Sequence, residues 1–174
     1  KFQIPYNYLI CDNGSSVFDA SNELIYFNPI NEETLHKTLE YLRSIKSVRS
    51  IQLYDAYGNI TNDYKSVSNI TISLTSIKDY LKIKDELNYL ISACMFNVMI
   101  IKEFTDKSDG ISFISQRENI EAKDIYTIGD ELNDLNMILM YNGYRVRFSN
   151  PKLIKSNIEP TNSVKSLIKK IERK

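Results

Sequence analysis

The sequence predicts an α/β protein built from two unlike parts, an α+β module and then a parallel sheet with crossing helices. Three observations predict it. Short β-prone runs alternate with amphipathic segments along the whole chain. Residues 18 to 104 order as strand, strand, helix, strand, strand, helix, strand. From Ile125 onward the order becomes strand, helix, strand, helix, which is the grammar of βαβ units.

Each element has a local cause. Tyr8 to Cys11 is a short apolar strand, and Asp12-Asn13-Gly14-Ser15-Ser16 is the turn after it, because Asn and Gly tolerate positive φ. Val17-Phe18-Asp19 and Leu24 to Phe27 flank a polar turn at Ala20 to Glu23 as a hairpin, which Pro29 closes. Asn31 caps a helix; Glu32 and Glu33 suit its positive end, and Leu35, Leu39, Leu42 and Ile45 share one face. Ser50 to Tyr54 is a strand, Asp55 to Asn59 a turn, and Asn69 to Leu74 an alternating strand. Ser76 caps a second helix carrying Ile77, Leu81, Ile83, Leu87, Leu90 and Ile91, and Asn97 to Phe104 is a further strand. Both helices are expected on one face of an open sheet. In the tail, Ile111 to Glu118 reads as a helix, Ile125 to Ile128 as a strand and Leu132 to Met140 as a helix. Tyr144 to Phe148 is a strand, and Ser163 to Ile171 a terminal amphipathic helix.

Composition narrows the function. The 174 residues include 22 Lys or Arg and 22 Asp or Glu, so a nucleic-acid binder that works by bulk charge is excluded. A hydrophobic share of 43% and a charged share of 25% describe a globular chain rather than a disordered one. No apolar run approaches the ~18 residues needed to span a bilayer, and no signal peptide opens the sequence. No membrane partner and a cytoplasmic location are therefore expected. Cys11 and Cys94 read as two buried free thiols rather than a disulfide or a metal pair. His36 falls on the polar side of the first helix, and the basic end from Lys165 is a solvated helix face.

The chemistry concentrates in Asp124 to Ile138, DIYTIGDELNDLNMI. A buried strand runs into Gly129-Asp130 and then, through Asn133-Asp134, into a helix. That arrangement sets Asp130 at the carboxyl end of a parallel strand, where such sheets hold their ligands, with Asp134 close by. Carboxylate oxygens suit a hard cation such as Mg²⁺, and amides at the helix start would favour phosphate. The competing reading is plain helix capping by Asp and Asn.

The full string Gly129-Asp130-x-x-Asn133-Asp134-x-x-Met137-Ile138 resembles the fourth motif of the haloacid dehalogenase superfamily, in its Cof-type branch. Asn142-Gly143-Tyr144-Arg145-Val146 and Ser149-Asn150-Pro151 resemble the segments that come after that motif in the family, and Tyr8 to Pro29 resembles the passage from core to cap. The resemblance implies a partial Rossmann-like core with a parallel sheet, plus an α+β cap. Residues 1–17 would be the strand leading into the cap, 18–106 the cap, and 107–174 the C-terminal part of the core. It implies a Mg²⁺-dependent phosphatase acting on a small phosphorylated metabolite, such as a sugar phosphate. Asp130 and Asp134 would hold the metal, Asn133 and Asn150 would meet the substrate, and the turns bearing Tyr54, Tyr57 and Tyr64 would lie near its non-phosphate end. The cap would close over the substrate and exclude water.

Two departures stand out. The family's D-x-D-x-[TV] nucleophile motif is absent. Cys11-Asp12-Asn13-Gly14 is the nearest string, but Cys11 and Asn13 would then stand at the two aspartate positions, where neither can do the chemistry. The preferred alignment makes Asn13-Gly14 the start of the cap, with the nucleophile and acid–base aspartates upstream of Lys1. The missing segment, or a second copy of the chain, is then an expected partner, and these residues alone are expected to be inactive. In addition, Ser108-Asp109-Gly110 stands where the family has Ser-Lys-Gly; Lys107 or Lys102 could reach in from another angle, but the preferred reading leaves both solvated. That exchange keeps open a non-catalytic binding or regulatory module, and a sugar-phosphate mutase of the same superfamily is the third reading.

Overall fold

The computed structural model describes residues 6–76, 78–87, 91–95, 98–102 and 106–173, and for 91–95 and 98–102 it gives the backbone course. The chain divides into two compact units, Lys1–Thr105 and Asp106–Lys174.

The first unit contains two antiparallel sheets. Strands β1 (Tyr8–Cys11), β2 (Ser16–Asp19) and β3 (Leu24–Phe27) form one in that order. Asp12 (φ 47°), Asn13 (φ 58°) and Gly14 (φ 103°) turn the chain between β1 and β2. Cys11 therefore pairs with Ser16 across a hairpin. Asp12 is tied down by Ser68, whose hydroxyl donates to its Oδ2 at 2.9 Å. Helix α1 (Glu32–Ser44) begins where Asn31 accepts hydrogen bonds from the N–H groups of Glu33 and Thr34. Strands β4 (Val48–Tyr54), β5 (Asn69–Leu74), β6 (Ile91–Met95) and β7 (Val98–Lys102) make the second sheet, in the order β4-β5-β7-β6. Helix α2 (Lys78–Glu86) joins β5 to β6. Leu35, Leu39 and Leu42 of α1 and Ile83 of α2 share one core with Leu53, Ile70, Ile72 and Leu74 of β4 and β5, so both helices cover the same sheet face.

Three details differ from the sequence reading. Helix α2 ends at Glu86, and Ile91 belongs to β6 instead. The apolar spacing that continues to Ile91 is equally compatible with a strand, and Met95 pairs with Val98 across only two intervening residues. Leu81 is 61% exposed, because α2 turns Ile83 inward instead. Cys11 is half-buried rather than buried. The expectations for Ile77, Leu90, Asn97 and Phe104 lie outside the described residues.

The second unit is a three-stranded parallel sheet in the order β10-β9-β8, formed by β8 (Tyr126–Gly129), β9 (Asn142–Val146) and β10 (Pro160–Thr161). Helix α3 (Lys107–Glu118) precedes the sheet, α4 (Leu135–Met140) joins β8 to β9, α5 (Pro151–Lys155) joins β9 to β10, and α6 (Val164–Ile171) ends the chain. Met137, Ile138, Leu153 and Ile158 form its core, with Ile111, Leu135 and Tyr141 packed against them. Helix α3 starts four residues before the expected Ile111, β9 ends before Phe148, and α5 and β10 are additional short elements. Among the described residues no helix is long and apolar enough to cross a membrane.

Candidate active site

The site lies within the second unit, where β8 ends. Thr127 faces inward and its hydroxyl donates to the carbonyl of Met137 at 3.0 Å, fixing strand against helix. At Gly129 the chain makes its closest approach to the following turn. A Cβ there would fall 2.6 Å from Oδ2 of Asp134, so only glycine lets that side chain fold back over the strand end.

Asp134 is 1% exposed. Its Oδ2 accepts the N–H groups of Asp130 at 2.9 Å and Glu131 at 3.0 Å. Its Oδ1 accepts from Lys107 Nζ at 2.5 Å. Both oxygens of this buried carboxylate are thus engaged by donors. The amides of Asp130 and Glu131, expected to favour phosphate, are thus already taken by Asp134. The segment after them is a 3-10 turn at Leu132–Asp134 and only then a helix.

Asp130 and Asp134 are thereby adjacent, yet unlike. The Asp130 side chain is exposed and, among the described residues, has no hydrogen-bonding or ion-pair partner. Asn133 is exposed on the 3-10 turn. Asn150 caps α5 by accepting from the Lys152 N–H at 3.0 Å, and its amide donates to Glu131 Oε2 at 3.1 Å. Its backbone N–H reaches the Asp130 carbonyl at 2.7 Å. Asn150 joins two loops around Asp130, with its side chain engaged by protein groups. In the first unit the tyrosines singled out by their turns stay local. Tyr54 donates to Gln52, Tyr57 meets Phe18 edge to face, and Tyr64 meets exposed His36 in the same way.

Two residues of the site escape the sequence reading. Lys107, expected to be solvated, is 39% exposed and paired with Asp134. Glu131 engages Asn150 and the N–H of Asp134. The sequence does hold a signal for Lys107. Asp106 and Asp109 stand three apart and form a capping box, each accepting from the other's backbone N–H, so α3 begins at Lys107. This corrects the reading of Ser108-Asp109-Gly110. Asp109 turns back onto the N–H of Asp106 at 3.0 Å and brings no carboxylate to Asp134, while Lys107 brings the ammonium.

Asp106 also fixes the approach of Lys107. Its burial raises its pKa, but the hydroxyl of Ser108, the amide of Asn136 and the N–H of Ser108 outweigh burial and hold the carboxyl below its ordinary value. Folded Asp106 therefore binds its proton less tightly than unfolded Asp106. Its contribution is complete above the unfolded pKa, about 3.9, and is lost as pH falls through the lower folded value. Urea unfolding from about pH 6 down to about pH 2.5 should show a shallower acid dependence in Asp106→Asn than in wild type. Parallel slopes would mean that the carboxylate contributes nothing.

The donor set bears on a metal through Asp130 alone. Among the described residues no group of three or more His, Cys, Asp or Glu side chains converges. Mg²⁺ commonly takes one or two carboxylates and keeps several waters. The unengaged carboxylate of Asp130 at a strand end fits that requirement, with Asp134, engaged by three donors, beside it.

The family pattern described as haloacid dehalogenase-like hydrolase matches residues 73–155, which include Lys107, Asp130, Asp134 and Asn150. The chain is thus similar to haloacid dehalogenase-like hydrolases, in sequence over residues 73–155 and in fold over most of its length. Its fold recurs in a haloacid dehalogenase-like hydrolase from Bacteroides thetaiotaomicron, at 19% identity and TM-score 0.68, over 95% of this chain and 76% of that one. A phosphatase of the same superfamily from Bacteroides thetaiotaomicron gives TM-score 0.75 at 16% identity, over 97% and 74% of the two chains. A sugar phosphatase of subclass IIB gives TM-score 0.71 at 15% identity, over 95% and 76%. At these identities the likeness is one of fold. No curated protein matches the sequence. The resemblance first carried by Gly129 to Ile138 therefore stands, as does the α/β fold class.

Proposed function

We propose that this haloacid dehalogenase-like chain serves a Mg²⁺-dependent phosphatase that hydrolyses a small phosphorylated metabolite such as a sugar phosphate. In this reading Asp106–Lys174 is the C-terminal part of the core, and Lys1–Thr105 is the cap with its leading strand. The observation that carries it is the pairing of Lys107 with buried Asp134, directly beside the unengaged carboxylate of Asp130. No D-x-D string occurs in the sequence, and Asp12-Asn13-Gly14 turns a hairpin between antiparallel strands. The nucleophile and acid–base aspartates are accordingly assigned to residues outside these 174.

Each residue then has a distinct task. Asp130 holds the metal, which when bound polarises the phosphoryl group. Lys107 supplies positive charge for the phosphoryl oxygens, and the pairing with Asp134 restricts where its ammonium can lie. Asp134 also holds the Asp130 loop through its two N–H bonds. Asn150 and Glu131 brace that loop from the α5 side. The non-catalytic reading rested on Asp109 replacing the lysine; with Asp109 capping its own helix, that reading loses its support.

The test is hydrolysis of an aryl phosphate by the full-length protein across a Mg²⁺ titration. Asp130→Asn should cut the metal-stimulated rate by about 10²-fold or more, and Lys107→Met by about 10²–10³-fold. Rates that ignore both Mg²⁺ and Asp130→Asn would refute the proposal.

A further inference from the structure

We propose that a groove between the edge strand β10 and helix α6 binds a small phosphate-bearing ligand, at a position separate from Lys107 and Asp134. The groove encloses about 420 Å³ and is lined by Arg147, Pro160, Thr161, Asn162, Ser166 and Lys170. That volume lies within the range of small-molecule sites. Arg147, Asn162, Ser166 and Lys170 carry hydrogen-bond donors, and no carboxylate is among the lining residues.

Arg147 is the chief recognition group. Its guanidinium lies over the ring of Phe148, 5.9 Å from the centroid, and among the described residues it has no carboxylate partner. A guanidinium without a carboxylate partner keeps its edge donors available, and these match phosphate oxygens in pairs. Phe148 is 88% exposed, so the pair stands in solvent rather than in the core. Lys170 supplies a second cation. It bridges Glu159 and sits 5.0 Å from the centroid of Tyr144, so Glu159 is the one acidic group a ligand must compete with. The polar rim is ordered beforehand: the Thr161 hydroxyl donates to the Ser163 carbonyl, and the hydroxyls of Ser163 and Ser166 share a hydrogen bond.

Charge distribution points the same way. From Arg145 to the end the sequence carries nine Lys or Arg against two Glu, in a chain that is neutral overall. Two of these cations, Arg147 and Lys170, line the groove. Two cations with hydroxyl and amide donors match a tetrahedral dianion better than a planar monoanion.

The experiment is a titration of the isotopically labelled full-length protein with inorganic pyrophosphate at constant ionic strength, followed by NMR. Saturable shifts are expected at the amides of Thr161, Asn162 and Ser166 and at the Arg147 side chain. Arg147→Gln should weaken binding by about tenfold or more, and Asn162→Ala, which leaves the charge intact, by about threefold. Lys107→Met should leave this binding unchanged, which separates it from the proposed active site. Non-saturating shifts, or equal affinity in Arg147→Gln, would overturn the proposal. So would binding to anionic lipid vesicles without any response to pyrophosphate.

Discussion

Asp134→Ala is expected to destabilise the second unit by about 3 kcal/mol and to abolish any metal-dependent phosphatase activity. The carboxylate is 1% exposed and serves three donors, the N–H groups of Asp130 and Glu131 and the Lys107 ammonium. Alanine leaves both amides without their acceptor at the end of a buried strand. Lys107 is 39% exposed and can turn to water, which keeps the cost below that of a fully buried broken pair. Asp134→Asn is the informative companion. It preserves shape, yet its amide can accept from only one side; the other side presents donors either to Lys107 or to the two N–H groups. Asparagine should therefore recover part of the stability and little of the activity. Urea unfolding checks the first effect and a Mg²⁺-dependent rate assay the second. A midpoint unchanged in Asp134→Ala would show that the loop is held by Glu131 and Asn150 alone.

How much of the molecule is legible before folding depends on the range of the interactions. Helix α1 announces itself locally, through the cap at Asn31 and the buried row of Leu35, Leu39 and Leu42. The β8 strand and its turn are equally readable, because Gly129, Asp130 and Asp134 lie within six consecutive residues and act on one another. Lys107 is not readable in the same way. Its partner is 27 residues further on, and the capping box that points it there is masked by the likeness of Ser108-Asp109-Gly110 to a lysine motif. For Asn150 the sequence suggests a ligand contact; that its side chain also caps α5 and holds Glu131 is visible only in the folded chain. Strand β6 escapes the periodicity because Leu87 to Ile91 suits a helix face and a short strand alike, and only pairing with β7 decides between them. Helix α5 and strand β10 are five and two residues long, too short to show a period.

Gly143→Ala is expected to be nearly as damaging as Asp134→Ala, although it removes nothing. Gly143 lies in β9, and a Cβ at that position would overlap the carbonyl oxygen and Cα of Ile138 in α4. The obstacle is backbone, so no rotamer change relieves it. The helix must move away from the sheet, and Ile138 and Met137 anchor the core of this unit. Overpacking of this kind costs about 1–3 kcal/mol and occasionally more, and an immovable neighbour places Gly143→Ala at the upper end. The shift would also carry functional consequences. Helix α4 comes directly after the turn that presents Asp134, and Thr127 of β8 bonds to the Met137 carbonyl. A displaced α4 would lengthen the contact between Lys107 and Asp134. The expected result is a lowered urea midpoint together with weaker activity, although Gly143 lies in the strand beside the one that carries the site. Wild-type stability in Gly143→Ala would mean that α4 is free to slide, and that the position of Asp134 is set by its own hydrogen bonds rather than by the packing of the helix behind it.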